Sequence, residues 1–179
     1  LLASPVARRY LARRGIPLDL IASQRLGYAD GTGLFAALGD ERSRRAARRL
    51  GLLLPDAPPG PRAAAGGDEL ARDARREALA VRIVIPELRG GQPIWFAGRL
   101  LADDAAPGAG RAPKYRNLRG ARPILGRERV AGAREVFLTE GPFDYLTALA
   151  WGLAACCTCG GGFRLDRLAS PRTTGARFR

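Results

Sequence analysis

The feature that most constrains the fold is a strand–helix–strand pattern near the end of the chain, EVFLTEGPFDYLTALAWGLAACCT, residues 135–158. An apolar run leads through Thr139 to Glu140, a Gly-Pro pair opens an apolar helix, and LAACCT follows as a second apolar run. Two strands joined by one helix within about 25 residues are typical of a βαβ unit, whose strands are parallel. We therefore expect parallel strands at 136–139 and 153–158, covered by a helix at 142–151.

A carboxylate directly follows the first strand of this unit. Ligand sites in open α/β sheets form at the carboxyl ends of strands, which is where Glu140 lies, and Gly141 leaves room beside it. Asp144 follows one helical turn later. Two carboxylates four residues apart suit Mg²⁺ binding or proton transfer. For Asp144 an equally good explanation is that the helix dipole favours an acid in the first turn.

The chain is strongly basic. Thirty basic residues against 17 acidic ones give a formal net charge of +13. Such a charge favours polyanionic partners, with nucleic acid first and a membrane surface second. The alternative is a compositional bias without function, because Lys114 is the only lysine and every other basic residue is an arginine.

Histidine is absent, which excludes Ser-His-Asp and Cys-His catalysis and every His-ligated metal site. The three cysteines, Cys156, Cys157 and Cys159, cluster in LAACCTCGGG. We expect them to be buried as small apolar side chains, and we expect no zinc in this chain. No apolar run approaches the roughly 18 residues of a membrane span, and the first residues lack the order of a signal peptide. A cytoplasmic location, with no membrane partner, is therefore expected.

Upstream, the pattern is helical and then becomes extended. Ser4 and Pro5 predict the start of a first helix, and Asp40 and Gly51 predict the start and end of a later one within 34–50. RIVIPEL, a Gly-Gly turn and QPIWFAGRLL predict a β-hairpin over 82–100. A further helix at 68–80 is suggested by its periodicity.

Three stretches resemble one family. VFLTEGPFDYLTALAWGL resembles the first motif of the Toprim domain, which DnaG-type bacterial primases share with topoisomerases and some nucleases. RIVIPELRGGQPIWFAGRLLADD followed by PKYRN resembles the primase pattern of a strand, a hairpin, a Gly-Arg pair and a basic motif. RRYLARRGIPLDLIASQRLGYA resembles the helical start of the primase catalytic core. Together they cover about residues 6–162, and the two upstream motifs argue against another Toprim enzyme such as a nuclease.

The resemblance implies RNA primer synthesis on single-stranded DNA during DNA replication, with ribonucleoside triphosphates as substrates and a replicative helicase as a possible partner. Glu140 matches the catalytic glutamate, and with Asp144 it would bind Mg²⁺ or Mn²⁺. The nucleotide- and template-binding residues that it implies are Lys114, Tyr115, Asn117, Arg99 and Arg14. We expect Glu140 to share a cleft with Lys114, Tyr115 and Asn117.

The expected fold is α+β with an α/β part. It divides into a basic helical N-terminal subdomain, a linker or insertion, a segment with the hairpin and the basic nucleotide-binding motif, and a partial Toprim domain with parallel strands. The expected boundaries are 1–54, 55–80, 81–134 and 135–179.

The chain also departs from the family. The Asp-x-Asp motif that binds Mg²⁺ in Toprim enzymes is absent, and so is the zinc-binding module of primases. Two-metal transfer needs more carboxylates than Glu140 and Asp144 supply. Two hypotheses follow: a truncated primase-like enzyme core, such as one from a mobile element or phage, or a primase remnant that binds single-stranded nucleic acid without catalysis.

Overall fold

The fold is mixed α+β, as expected. The computed structural model describes residues 3–54, 77–101 and 113–160, and the backbone of Arg177–Phe178. The helices are α1 (Pro5–Arg13), α2 (Leu18–Ser23), α3 (Leu34–Ala37), α4 (Glu41–Leu50) and α5 (Pro142–Ala150). The strands are β1 (Gly27–Ala29), β2 (Arg82–Arg89), β3 (Gln92–Leu100), β4 (Tyr115–Asn117), β5 (Glu135–Thr139), β6 (Ala155–Cys157) and β7 (Arg177–Phe178).

The predicted helix starts are confirmed by their caps. The Ser4 hydroxyl accepts from the backbone N–H of Ala7 at 3.3 Å, and the Asp40 carboxylate accepts from the N–H of Ser43 at 2.8 Å. Each bond satisfies one of the backbone donors that a helix start leaves unpaired. Gly51 ends α4 with φ +78°, a left-handed conformation that glycine adopts without steric cost.

The helical stretch predicted for 34–50 is interrupted. It consists of the single turn α3 and the longer α4, which Asp40 separates because this residue is extended, with φ −126° and ψ 155°. The helix predicted at 68–80 lies mostly outside the described residues. Its last four residues, 77–80, form an isolated bridge and a turn instead.

The predicted hairpin is confirmed. Strands β2 and β3 are neighbours in a four-stranded sheet of order β1-β2-β3-β4, and only Gly90 and Gly91 connect them. Both glycines have positive φ, +52° and +74°, as a type I′ turn requires. Strand β1 pairs with β2 in the antiparallel direction.

The predicted βαβ unit is also confirmed. Strands β5 and β6 are parallel, with Phe137 opposite Ala155 and Thr139 opposite Cys157, and α5 connects them. The short β7 pairs in parallel with the other edge of β5, giving a sheet of order β6-β5-β7. Val136 and the whole of β6 are buried, so this sheet lies in a core.

The chain divides into two compact units, each built from segments that are distant in the sequence. Unit 1 contains 1–26, 85–97 and 121–179, and unit 2 contains 27–84 and 98–120. In unit 1, Ile124, Val130, Val136 and Cys156 form a buried apolar cluster. Within the described parts of the chain, no helix is both long enough and apolar enough to cross a bilayer.

Candidate functional site

The backbone of Glu140 is held at the carboxyl end of β5. Its carbonyl oxygen accepts from the N–H of Gly160 at 3.1 Å and from the thiol of Cys157 at 3.2 Å. The residue itself is exposed to solvent. The fold therefore fixes the position of Glu140 through its main chain and leaves it accessible to a ligand.

Gly141 and Asp144 lie against each other at the start of α5. A Cβ atom at Gly141 would lie 2.5 Å from Oδ2 of Asp144, so a larger residue would displace that carboxylate. Asp144 is exposed and occupies the first turn of the helix, where the helix dipole favours an acid. The dipole explanation and the metal-ligand explanation for Asp144 both remain compatible with this position.

The cysteines beside this turn are buried, as predicted, but they also form polar contacts. Cys156 and Cys157 are fully buried and Cys159 is 4% exposed. The N–H of Cys159 donates to Sγ of Cys157 at 3.2 Å, and the two sulfurs are 3.9 Å apart. The hydrogen bond with Cys159 lowers the pKa of Cys157, whereas burial raises the pKa of Cys156 to about 11. The sequence pattern indicated only an apolar role for Cys157, and its hydrogen bond to Glu140 was not predicted.

Arg14 is connected to the start of α5 by a row of two aromatic rings. Its guanidinium carbon lies 5.5 Å from the ring centroid of Tyr10. The Tyr10 ring meets that of Phe143 edge to face, with centroids 5.4 Å apart. Phe143 is the second residue of α5. Three of the predicted site residues, Arg14, Glu140 and Asp144, thus belong to unit 1.

A buried polar network fixes α5 within unit 1. The hydroxyl of Tyr145 donates to Oε1 of Gln24 at 2.9 Å, and Gly126 packs against the Tyr145 ring. The N–H of Gly126 donates to Oε2 of Glu87 at 2.8 Å. Burial raises the pKa of Glu87 to about 7. These residues were not predicted from the sequence, although the acid inside the apolar run RIVIPEL is a visible signal.

The other predicted site residues lie in unit 2, on β4 and the strand beside it. Lys114 is exposed, and Tyr115 and Asn117 are half-buried. Arg99 is only 7% exposed, and its guanidinium carbon lies 5.2 Å from the Tyr115 ring centroid. Arg99 therefore supports the Tyr115 ring from within the sheet.

A second buried arginine positions the backbone of Lys114. Nη1 of Arg82 donates to the carbonyl oxygens of Lys114 at 3.3 Å and Gly98 at 3.4 Å. Burial, with the nearby charge of Arg116, lowers the pKa of Arg82 to about 10. This role of Arg82 was not predicted from the sequence, although an arginine at the start of an apolar strand is a visible signal.

The structure places four of the seven predicted site residues in unit 2 and three in unit 1. Within unit 2, Lys114, Tyr115 and Asn117 are contiguous on and beside β4, and Arg99 contacts Tyr115. The shared cleft of Glu140 with Lys114, Tyr115 and Asn117 stays a prediction.

The carboxylates at the start of α5 are suitable ligands for a divalent cation but few in number. Glu140 and Asp144 offer oxygen donors at an exposed turn, where Mg²⁺ could retain several waters. Among the described residues, no three acidic or cysteine side chains converge into a metal-binding group. The described residues therefore do not build a two-metal site.

Comparisons with known proteins give structural matches alone. No family model and no curated protein matches the chain. Among solved structures, it superposes on the E. coli primase catalytic core with a TM-score of 0.69 and 22% identity, covering 93% of this chain and 52% of that one. A DnaG primase catalytic domain bound to ssDNA gives a TM-score of 0.68 and 22% identity, with 93% and 53% covered.

The RNA polymerase domain of Mycobacterium tuberculosis primase DnaG, in complex with a double-stranded DNA with a 6-nucleotide overhang, matches at TM-score 0.67 and 22% identity. That match covers 99% of this chain and 56% of the mycobacterial one. The chain spans about half the length of the solved chains it matches. It therefore has the fold of part of a DNA primase catalytic core.

Proposed function

We propose that this chain is a primase-like protein with a Toprim-type site, which acts in RNA primer synthesis on single-stranded DNA. The observation that carries the proposal is the exposed Glu140 at the carboxyl end of β5, inside a parallel β5–α5–β6 unit of a primase-like fold. Glycine and a helix start follow it directly, which is the arrangement expected of a ligand site.

Glu140 is proposed as the catalytic residue. Hydrogen bonds from Gly160 and Cys157 hold its main chain in place, which fixes the position from which the side chain extends. From there its carboxylate would accept a proton from the reacting group or return one to it. Glu140 and Asp144 would hold Mg²⁺ or Mn²⁺. When bound, such an ion neutralises charge on phosphoryl oxygens.

The nucleotide and the template are proposed to bind through basic and aromatic side chains. Lys114 and Arg14, both exposed, would contact phosphates, because cationic side chains bind them well. Tyr115, supported by Arg99, would offer a face on which a base stacks, and Asn117 on the same strand would add a polar contact. Single-stranded DNA, ribonucleoside triphosphates and a replicative helicase are the proposed partners, in the cytoplasm.

The test of the proposal is incorporation of labelled ribonucleotides on single-stranded DNA by the purified chain, with Mg²⁺ or Mn²⁺. We expect slow incorporation that Glu140→Gln abolishes, because the amide keeps the shape and removes the proton acceptor. Asp19→Asn is the matched control, since Asp19 is an exposed acid at the start of α2 and far from the proposed chemistry in sequence. Equal incorporation by the wild type and Glu140→Gln would contradict the proposal.

A second candidate function is binding of single-stranded nucleic acid without catalysis. It is favoured by the small number of carboxylates at the carboxyl end of β5. The described residues supply only Glu140 and Asp144 there, and a two-metal site needs more than two carboxylates. The same assay separates the two functions. Binding of an oligodeoxythymidine without any incorporation, by the wild type and Glu140→Gln alike, would establish the binding function and exclude the enzyme.

A further inference from the structure

An open groove lies between α1 and the start of α2, on the part of unit 1 that the proposed function does not use. It has a volume of about 480 Å³, within the range of roughly 300–1,000 Å³ that ligand pockets show. Its apolar lining includes Ala12, Ile16, Leu18 and Ile21. Leu18 is 68% exposed, which leaves a large apolar side chain in water at the groove's edge.

Two arginines line the same groove. Arg8 and Arg9 lie on the exposed side of α1, and neither has an ion pair with an acid in the described part of the chain. Asp19, the acid nearest in sequence on α2, is not among the lining residues. An apolar surface beside two unneutralised guanidinium groups complements a ligand that combines apolar side chains with carboxylates.

We infer that this groove is a docking site for an acidic, amphipathic peptide segment of a partner protein. The peptide's apolar side chains would cover the exposed Ala12 and Leu18, above the largely buried Ile16 and Ile21, as in the helix-in-groove mode of recognition. Its carboxylates would pair with Arg8 and Arg9, whose planar guanidinium groups bind carboxylates with two hydrogen bonds.

The lining argues against nucleic acid as the occupant. Single-stranded nucleic acids bind through phosphates and through bases stacked on aromatic rings. Among the described residues, none of those lining this groove is aromatic, so a bound strand could use the arginines but would leave the apolar surface unfilled. A peptide with aliphatic side chains satisfies both parts of the groove.

The probe is a fluorescein-labelled peptide of about 14 residues, with leucines at i, i+3, i+4 and i+7 and glutamates between them, in the helix-in-groove pattern. Its binding to the full chain is followed by fluorescence anisotropy at about 50 mM salt, where charge attraction is strong. We expect saturable binding that Leu18→Glu weakens by about tenfold or more, because it removes apolar surface and places a charged carboxylate against the peptide's leucines. Circular dichroism of each variant checks that it remains folded.

The double variant Arg8→Ala/Arg9→Ala tests the arginines. We expect it to weaken peptide binding by about tenfold, the effect of losing two charge-assisted contacts. Its matched control is Arg45→Ala/Arg49→Ala, which removes the same charge from exposed positions of α4. Equal weakening by both double variants would overturn the proposal, because it would show attraction to the net positive charge alone.

Two further outcomes would overturn the docking site. A peptide of the same composition, with its leucines distributed around the helix, should bind at least about tenfold more weakly because it has no single apolar face. Equal binding of the two peptides would contradict the proposal. An oligodeoxythymidine should bind the wild type and Arg8→Ala/Arg9→Ala alike. Loss of oligonucleotide binding with unchanged peptide binding would assign these arginines to nucleic acid instead.

Discussion

At the residue scale, Gly126 is constrained by both its backbone and its neighbour. Its φ is +76°, in the left-handed region, and a Cβ atom there would lie 2.6 to 2.9 Å from the hydroxyl and ring of Tyr145. Its N–H also donates to Glu87. Because Tyr145 is fully buried, its ring has no free space into which to move.

Gly126→Ala should therefore be strongly destabilising. We expect a loss of about 3 kcal/mol or more in the free energy of unfolding, from overpacking of about 1–3 kcal/mol added to backbone strain. Urea denaturation measures it. The control is Gly132→Ala, since Gly132 has a similar φ of +81° but no atom within 4 Å of its added Cβ. It should cost about 1 kcal/mol, and equal losses for the two variants would contradict the packing argument.

Tyr145→Phe should also destabilise the protein. It removes the donor to Gln24 and leaves a buried amide oxygen without that bond, which we expect to cost about 1–3 kcal/mol. A double-mutant cycle with Gln24→Leu, followed by chemical denaturation, isolates the contact. We expect a coupling energy of about 1 kcal/mol. A coupling of zero would mean that the hydroxyl and the amide stabilise the fold independently.

At the element scale, the sequence predicts best where its pattern is local. The β5–α5–β6 unit and the β2–β3 hairpin were predictable because apolar runs, Gly-Pro and Gly-Gly mark their bounds directly. The three-residue strands β1 and β4 were not, since three residues show no periodicity and their partners lie elsewhere in the chain. Asp40 marked the start of α4 correctly, but α3 was not predicted as a separate single turn, because its four residues are too few to show a helical period.

The candidate site shows the same division. Glu140, Gly141 and Asp144 were identified because the strand end and the helix start lie side by side in the sequence. The contacts of Tyr145 with Gln24 and of Gly126 with Glu87 join residues 121 and 39 positions apart, respectively. No pattern in the sequence predicts such pairs, because each contact depends on how the helices and strands pack.

Strand β2 contains a group that should make stability depend on pH. Burial raises the pKa of Glu87 from 4.5 to about 7, so the folded state retains its proton at a pH where the unfolded chain has lost it. This contribution to stability is fully present below pH 4.5 and is lost as the pH rises through about 7. The loss is at most about 3 kcal/mol.

Glu87→Gln should flatten this dependence. The amide accepts the hydrogen bond from Gly126 but does not titrate, so its free energy of unfolding should change less than that of the wild type between about pH 5 and 7.5. Urea denaturation across this range measures the difference. The absence of histidine removes the side chains that most often titrate there. Parallel curves for the two proteins would show that Glu87 titrates near its ordinary pKa.

At the scale of the whole molecule, the net charge of +13 makes salt dependence the test of nucleic-acid binding. For single-stranded DNA, each phosphate contact contributes about 0.7 to the slope of log affinity against log salt. If Arg14 and Lys114 contact phosphates, Arg14→Ala and Lys114→Ala should each lower that slope by about 0.7. Arg45→Ala, which changes an exposed arginine on α4, is the control.

Fluorescence anisotropy with an oligodeoxythymidine gives these slopes. An equal reduction in all three variants would assign the binding to net charge without a defined track of contacts. Weaker binding by Lys114→Ala with an unchanged slope would instead place Lys114 away from the phosphates.

The interleaving of the two units has a consequence for synthesis of the protein. Unit 2 lies wholly within 27–120, whereas unit 1 needs residues from both sides of that stretch. All of unit 2 is therefore translated before β5 and Glu140. The helices α1 and α2 must wait for α5, because Tyr10 and Gln24 have their ring and hydroxyl partners there. Until α5 has been translated, the apolar faces of α1 and α2 lack these partners and are open to chaperone binding.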